Sequence, residues 1–286
     1  MILVTGAGGT VGTLVAQELK AFKQKVRLAY HSREKAEKAR STGSDAVALD
    51  FAKPDTLRPA LAGIDAVFLL GTGGLGQTEG EIQVVREAKA AGVGKIVKLS
   101  VWGAEGEAFS FARIHRPVER EIENSGLVWT FLRPNGFMQN FVNYMSGTIK
   151  GQGALYQPAA DAKISHIDAR DIARVAAATL TRPGHEGKAY DLTGPQGLSY
   201  GETAEILSRV LGKKVNYVAV SDEAAKAGML GAGIPEFYAD YLIDLSQFYR
   251  KGGAARVTTA VKDVTGKNPV AFEDFVRDNA GAFQGR

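Results

Sequence analysis

The chain has no cysteine, and that absence excludes disulfides, thiolate nucleophiles and cysteine-ligated zinc. It has four histidines, at 31, 115, 166 and 185, too scattered in sequence to suggest a metal cluster, so no metal is expected. No apolar run approaches the roughly 20 residues needed to span a bilayer. No block of like charge resembles a nucleic-acid-binding tail, and the net charge of +4 is only mildly basic. Met1 leads straight into a run that reads as a core strand, so no signal peptide is expected. These absences point to a cytoplasmic protein acting on small molecules, with no membrane and no direct nucleic-acid partner expected. They leave a homo-oligomer open.

Short apolar runs recur through the first half. They are Met1–Thr5, Lys25–Tyr30, Asp45–Asp50, Asp65–Leu70, Lys95–Ser100 and Val128–Arg133. Most are apolar nearly throughout, which is the pattern of parallel strands covered on both faces. Helical segments such as Val11–Phe22 and Glu81–Ala91 lie between them, the latter stopping at Gly92. Alternating strand and helix predicts an α/β, Rossmann-type doubly wound parallel sheet with a smaller C-terminal substrate lobe. Further on, Asp168 with Asp171 reads as a helix start for Ile172–Leu180, and Ser199 with Glu202 as a capping box before Thr203–Leu211. Lys188–Thr193 and Lys214–Val220 read as strands. Residues 221–251 read as helix interrupted by Gly231, Gly233 and Pro235. The expected division is a single nucleotide-binding unit, with its core at about 1–134 plus 164–193 and its lobe at about 135–163 and 194–286.

The strongest local signal is Thr5-Gly6-Ala7-Gly8-Gly9-Thr10-Val11-Gly12, at the junction of the first strand and first helix. Gly6 permits a sharp turn. Gly9 removes a side chain where a pyrophosphate must approach, and Gly12 lets the helix pack closely on the sheet. The free N–H groups from Thr10 and Val11 onward would then face the phosphates. The alternative is a tight turn without a ligand. At the end of the second strand no carboxylate awaits ribose hydroxyls. Arg33 stands there instead, with Ser32 and Lys35 beside it, in a position to take a 2′-phosphate. This points to NADP(H) as the cofactor. Asp50 and Phe51 could contact adenine, or Asp50 could simply cap a loop. Gly71 and Thr72 open a glycine-rich loop after the fourth strand that could approach the ribose or serve only as a mobile connection.

The glycine turn, Asp50-Phe51, Gly63-Ile-Asp-Ala-Val-Phe-Leu-Leu70, Ala91-Gly-Val-Gly-Lys-Ile-Val97 and Thr130-Phe-Leu-Arg-Pro134 together resemble the NmrA-like branch of atypical short-chain dehydrogenases/reductases. Asp168–Ala178, Tyr190-Asp-Leu-Thr-Gly-Pro195 and Gly266-Lys-Asn-Pro269 extend that resemblance over nearly the whole chain. Within the branch it is similar to the dye-reducing and quinone-reducing members. The resemblance implies either an NADPH-dependent reductase or a regulatory sensor that binds NADP(H) without turnover. Where the wider superfamily places Tyr-x-x-x-Lys, this chain has Phe111 and His115, and no lysine is expected beside a phenol. His115-Arg-Pro-Val-Glu119 repeats the His-x-x-x-Glu pattern of the dye-reducing type. His31 stands where relatives usually carry an arginine near the 2′-phosphate, which makes Arg33 the substitute.

A site without the tyrosine acid suits acceptors whose reduced form is stable or neutral, such as quinones or conjugated cationic carbons. The expected partner is therefore a small aromatic or quinone substrate. His115 and Ser100 are the catalytic candidates, each with a structural alternative: a helix histidine in a fixed hydrogen bond, and a strand-end hydroxyl capping backbone. Trp102, Asn135, Phe137, Met138 and Phe141 are the substrate-side candidates. Positions 137, 138, 141, 144 and 145 share one helical face, which would line either a pocket or a core.

Overall fold

The computed structural model describes residues 1–71 and 73–284. The first half alternates without interruption. It runs β1 (Ile2–Val4), α1 (Thr10–Ala21), β2 (Val26–Tyr30), α2 (Arg33–Ser41), β3 (Ala46–Ala48) and α3 (Pro54–Leu61). It continues with β4 (Ala66–Leu69), α4 (Gln77–Ala90), β5 (Lys95–Leu99), α5 (Ser110–Ser125) and β6 (Val128–Pro134). Then follow α6 (Ser146–Gln152), β7 (Ala154–Gln157), α7 (Ala169–Thr181), β8 (Lys188–Leu192), α8 (Tyr200–Leu211) and β9 (Asn216–Ala219). The chain ends with α9 (Asp222–Gly231), α10 (Glu236–Arg250), α11 (Ala260–Thr265), α12 (Phe272–Asp278) and α13 (Ala280–Phe283). Each apolar run of the first half contains a strand, and the strands form a parallel sheet in the order β3-β2-β1-β4-β5-β6-β8.

Neighbouring residues of each central strand serve opposite cores. Val4, Phe68, Val97 and Leu132 pack with α1 and α7, while Leu3, Val67, Ile96 and Phe131 pack with α3, α4 and α5. Because both faces are covered, the runs are continuously apolar rather than alternating. Strand order reverses at β1, so a crevice opens between the ends of β1 and β4, where the two glycine-rich loops lie.

A third core, built on Phe141, Leu155, Leu207, Phe272, Phe275 and Phe283, underlies the lobe and its two-stranded parallel sheet of β7 and β9. The lobe was expected to take everything after residue 193. Instead, Val261 and Val264 of α11 return to the core beneath α7. The capping box forms: Glu202 N donates to Ser199 Oγ at 3.1 Å, and Ser199 N donates to Glu202 Oε2 at 2.8 Å. Asp168 caps α7 differently, by accepting from Arg170 N at 2.8 Å. Asp171 does not close a second box. Its Oδ2 accepts from Val270 N at 2.8 Å and ties the C-terminal segment down. The break in 221–251 falls where expected. Gly233 adopts φ +81°, and Pro235 starts α10 with its preset backbone. No described helix is long and apolar enough to cross a membrane.

Phe272 packs against Phe141 with ring centroids 4.7 Å apart, and both are buried. Phe272→Ala is expected to cost about 3–5 kcal/mol through the lost contacts and the cavity left behind. A denaturant midpoint shifted by less than a third of that amount would show that the lobe core is not organised around this pair.

Candidate active site

The turn after β1 is shaped by close approaches. Gly6 has φ +62°, and a Cβ there would come within 2.9 Å of Leu70 Cδ2. A Cβ on Gly12 would overlap the carbonyl oxygen of Gly6. Helix α1 thus needs Gly12 to pack on its own turn, not on the sheet as expected. Gly9 is different: the nearest protein atom to an added Cβ is Gly6 O, at 3.4 Å, so the space above it is open. Gly9 is also the N-cap of α1, with no side-chain cap and no acidic residue in the first turn. The amides of Thr10, Val11 and Gly12 therefore begin a helix with no hydrogen-bond partner among the described residues. By contrast α2, α7, α8 and α9 are capped by Ser32, Asp168, Ser199 and Ser221. An open glycine before an uncapped helix start fits a diphosphate. Thr5, expected to face the ligand, is buried. Its Oγ1 lies 3.0 Å from Leu70 O and accepts from Leu70 N at 2.7 Å, which stitches β1 to the end of β4.

At the end of β2, His31 and Arg33 are exposed, and Ser32 Oγ accepts from Lys35 N at 3.3 Å. Arg33 Nε donates to Glu37 at 3.0 Å on the exposed face of α2. That bond is weak in water and leaves the guanidinium able to turn to an anion. Asp50 accepts from Ala52 N at 3.0 Å and pairs with Lys53 at 3.0 Å, and these bonds hold its carboxyl below the usual range. It is a loop-capping residue with one side toward His31, whose Nε2 is 3.9 Å away. Phe51 is partly buried against α4, and a Cβ on Gly80 would come within 2.8 Å of Phe51 Cβ. Thr72 lies outside the described residues.

The glycine loop after β4 rests on buried polar groups that the sequence reading passed over. Gln77 accepts from Gly73 N at 2.9 Å through Oε1 and donates from Nε2 to Glu81 Oε1 at 3.2 Å. Glu81 pairs with Lys98, and both side chains are 0% exposed. Lys98 Nζ also donates to Leu99 O at 3.2 Å and lies 3.1 Å from His115 Nδ1. A lysine is therefore positioned at this helix after all, but it comes from β5 and faces a histidine instead of a phenol. Its signal was present as a charge in the middle of Lys95-Ile-Val-Lys-Leu-Ser100, on the face shared with Ile96. Burial, reinforced by the charge of Lys98, holds His115 well below the ordinary histidine range. His115 is neutral at pH 7.

The substrate-side candidates divide. Trp102 is buried, donates to Gly253 O at 2.7 Å and carries Arg256 over its ring at 4.9 Å. Asn135 Nδ2 donates to Ser165 Oγ at 2.8 Å and to Ala254 O at 2.9 Å, a strap between core and lobe. Met138 and Phe141 belong to the lobe core, and Phe137 is half-buried against the sheet core. The Ser100 hydroxyl is sealed from solvent beside Glu119 and does not open into a cleft. The expected helical stripe lines core rather than pocket and is not one helical face: Phe137 and Met138 lie in a bridge and a turn before the helix, and Phe141–Met145 form a π-helical turn. Phe141 and Met145 point inward, while Tyr144 is 73% exposed. The aromatic surface beside His115 is made by other residues. Phe111, one turn earlier on α5, meets Tyr238 and Tyr241 of α10 edge-on at 5.7 and 5.6 Å. Tyr144 lies close enough to Tyr238 to help raise its hydroxyl pKa, although burial is the larger cause.

The two glycines of the turn separate binding from folding. Gly9→Ala should leave thermal stability nearly unchanged and weaken NADPH binding at least tenfold by calorimetry. Gly12→Ala should lower stability as well, because its Cβ has no room. Equal loss of stability in both variants would remove the case for a ligand above Gly9.

The chain is 37% identical over 284 residues to an NAD(P)H azoreductase of Xenophilus azovorans, covering 99% of each chain. The solved NADPH complex of an NADPH-dependent quinone oxidoreductase of Escherichia coli superposes with a TM-score of 0.90 at 26% identity, covering 98% of this chain and 100% of that one. The NADP(H) complex of a triphenylmethane reductase of Citrobacter sp. gives a TM-score of 0.86 at 29% identity, covering 97% and 99%. The NmrA-like family description matches residues 1–275, and this chain belongs to that family.

Proposed function

We propose that the protein is an NADPH-dependent oxidoreductase that reduces flat, conjugated acceptors such as quinones, azo compounds or cationic dye carbons. The observation that carries this reading is the aromatic surface of Phe111, Tyr238 and Tyr241 standing beside a neutral His115. Aromatic faces and edges hold a planar ring in place by stacking and exclude water around it. The relatives named above are consistent with that acceptor class.

The residues divide the work. Gly9 leaves room for the diphosphate, which the amides of Thr10, Val11 and Gly12 would hold, while Gly6 and Gly12 allow the turn beneath it to close. Arg33, with Ser32, Lys35 and His31, would take the 2′-phosphate. Phe51 and Asp50 border the adenine side, and Gly71 borders the ribose. The nicotinamide supplies hydride when bound. Phe111 cannot donate a proton where the wider superfamily has a tyrosine. The acceptor must therefore take hydride without a strong acid, as a quinone or a cationic carbon does. Asn135 straps the segment at Ala254 to the core, and Ser100 sits buried behind the site. Trp102, Phe137, Met138 and Phe141 contribute through packing, in the two cores and against the Gly253 segment.

Turnover of a quinone and an azo dye with NADPH, followed by cofactor oxidation, tests this directly. Arg33→Ala should raise KM for NADPH about tenfold, roughly 1.4 kcal/mol of lost binding, and leave NADH kinetics unchanged. Tight NADPH binding with no turnover of any acceptor would instead identify a redox sensor.

A further inference from the structure

Two of the site's titratable groups are sealed from water, and one of them, Glu81, lies against Gly71 of the loop after β4, where an added Cβ would overlap its carboxyl. Lys98 projects from β5 toward α4 and α5, on the same side of the sheet as Ile96. Its ammonium has three N–H donors and no acceptor. Three polar atoms surround it: the acceptors Glu81 Oε2 and, at 3.2 Å, Leu99 O, and His115 Nδ1 at 3.1 Å. Glu81 is held in turn by Gln77 Nε2 at 3.2 Å, and Gln77 accepts from Gly73 N at 2.9 Å.

We propose that Lys98 and Glu81 are positioning residues that lock His115 in the tautomer with its proton on Nε2, as an uncharged hydrogen-bond donor to the oxygen or nitrogen of the acceptor. The inference rests on the reductase reading above and extends it to the state of its histidine.

The tautomer follows from counting donors. A charged Lys98 can only donate to Nδ1, so Nδ1 carries no proton. If the buried pair shares its proton the other way, Glu81 becomes the O–H donor and fills the lone pair of the Lys98 amine. The two remaining N–H groups then still point to Leu99 O and Nδ1. Nδ1–H could donate only to the lone pair of a neutral Lys98, which would leave Glu81 as a carboxylate with no compensating charge in a dry site, and that is costly. The proton of neutral His115 therefore sits on Nε2, which has no partner among the described residues, on a side chain that is only half-buried. Such a donor stabilises charge developing on a reduced quinone oxygen or azo nitrogen without itself transferring a proton. No bond to hydrogen is broken in the protein, and the product takes its proton from solvent.

The test reads the histidine directly. Nitrogen-15 spectra of histidine-labelled enzyme with NADP(H) bound contain four imidazoles, and His115→Gln assigns the relevant one. At pH 7 the expected spectrum shows a pyridine-type Nδ1 and a pyrrole-type Nε2. In Glu81→Gln/Lys98→Met, which removes both buried charges together, the tautomers should mix. There kcat with a quinone should fall about tenfold while KM for NADPH stays within twofold. A protonated Nδ1 in the parent enzyme overturns the proposal, and that measurement stands even if the double variant fails to fold. An unchanged tautomer, or an unchanged kcat, in a folded double variant overturns it too. Absence of turnover in the parent counts against the reductase reading alone, because the spectrum needs no turnover.

Discussion

The side chains of a lysine and a glutamate, with no access to water, stand between the sheet and two of its helices, and the candidate site is arranged around them. Taking either charge out of water costs several kcal/mol, and mutual attraction repays this only when every remaining donor and acceptor is satisfied. Lys98 and Glu81 meet that condition through Leu99 O, His115 and Gln77. A well-packed apolar pair of the same volume would often be as stable or more so. Stability is therefore a poor explanation for the pair. Its effect on its neighbours is a better one: it braces the loop after β4 on one side and orients a helix histidine on the other.

The crevice between β1 and β4 is built by the same logic of close approach. Thr5 links the two strand ends through its hydroxyl, Gly6 lies against Leu70, and Gly12 lets α1 start almost on top of its own turn. This compression leaves the first amides of α1 pointing into open space instead of at a capping side chain. Binding capacity here is a consequence of backbone geometry, and the side chains nearby mostly serve to hold that geometry.

The substrate side was harder to foresee. Phe137, Met138, Phe141, Tyr144 and Met145 share a helical face only if the helix keeps 3.6 residues per turn. Phe137 and Met138 instead lie before the helix begins, and the π-helical turn at Phe141–Met145 leaves Tyr144 outward. Tyr238 and Tyr241 come from α10, about a hundred residues further along, and nothing near Phe111 in the sequence announces them. Asn135 and Trp102 sit at the carboxyl ends of strands, where ligands commonly bind, yet both bond to the segment around Gly253 and Ala254. That segment had to be folded back before their partners could be known.

Local chemistry was enough to read the parallel sheet, the glycine turn and the capping box at Ser199. Each depends on periodicity or on residues a few positions apart. The absence of a tyrosine acid at 111 was equally legible, being a matter of residue identity. The role of Lys98, the buried hydroxyl of Ser100, the return of α11 to the sheet core and the aromatic partners of Phe111 were decided only by tertiary structure. They are set by which groups lose water together, and that depends on elements brought into contact from distant parts of the chain.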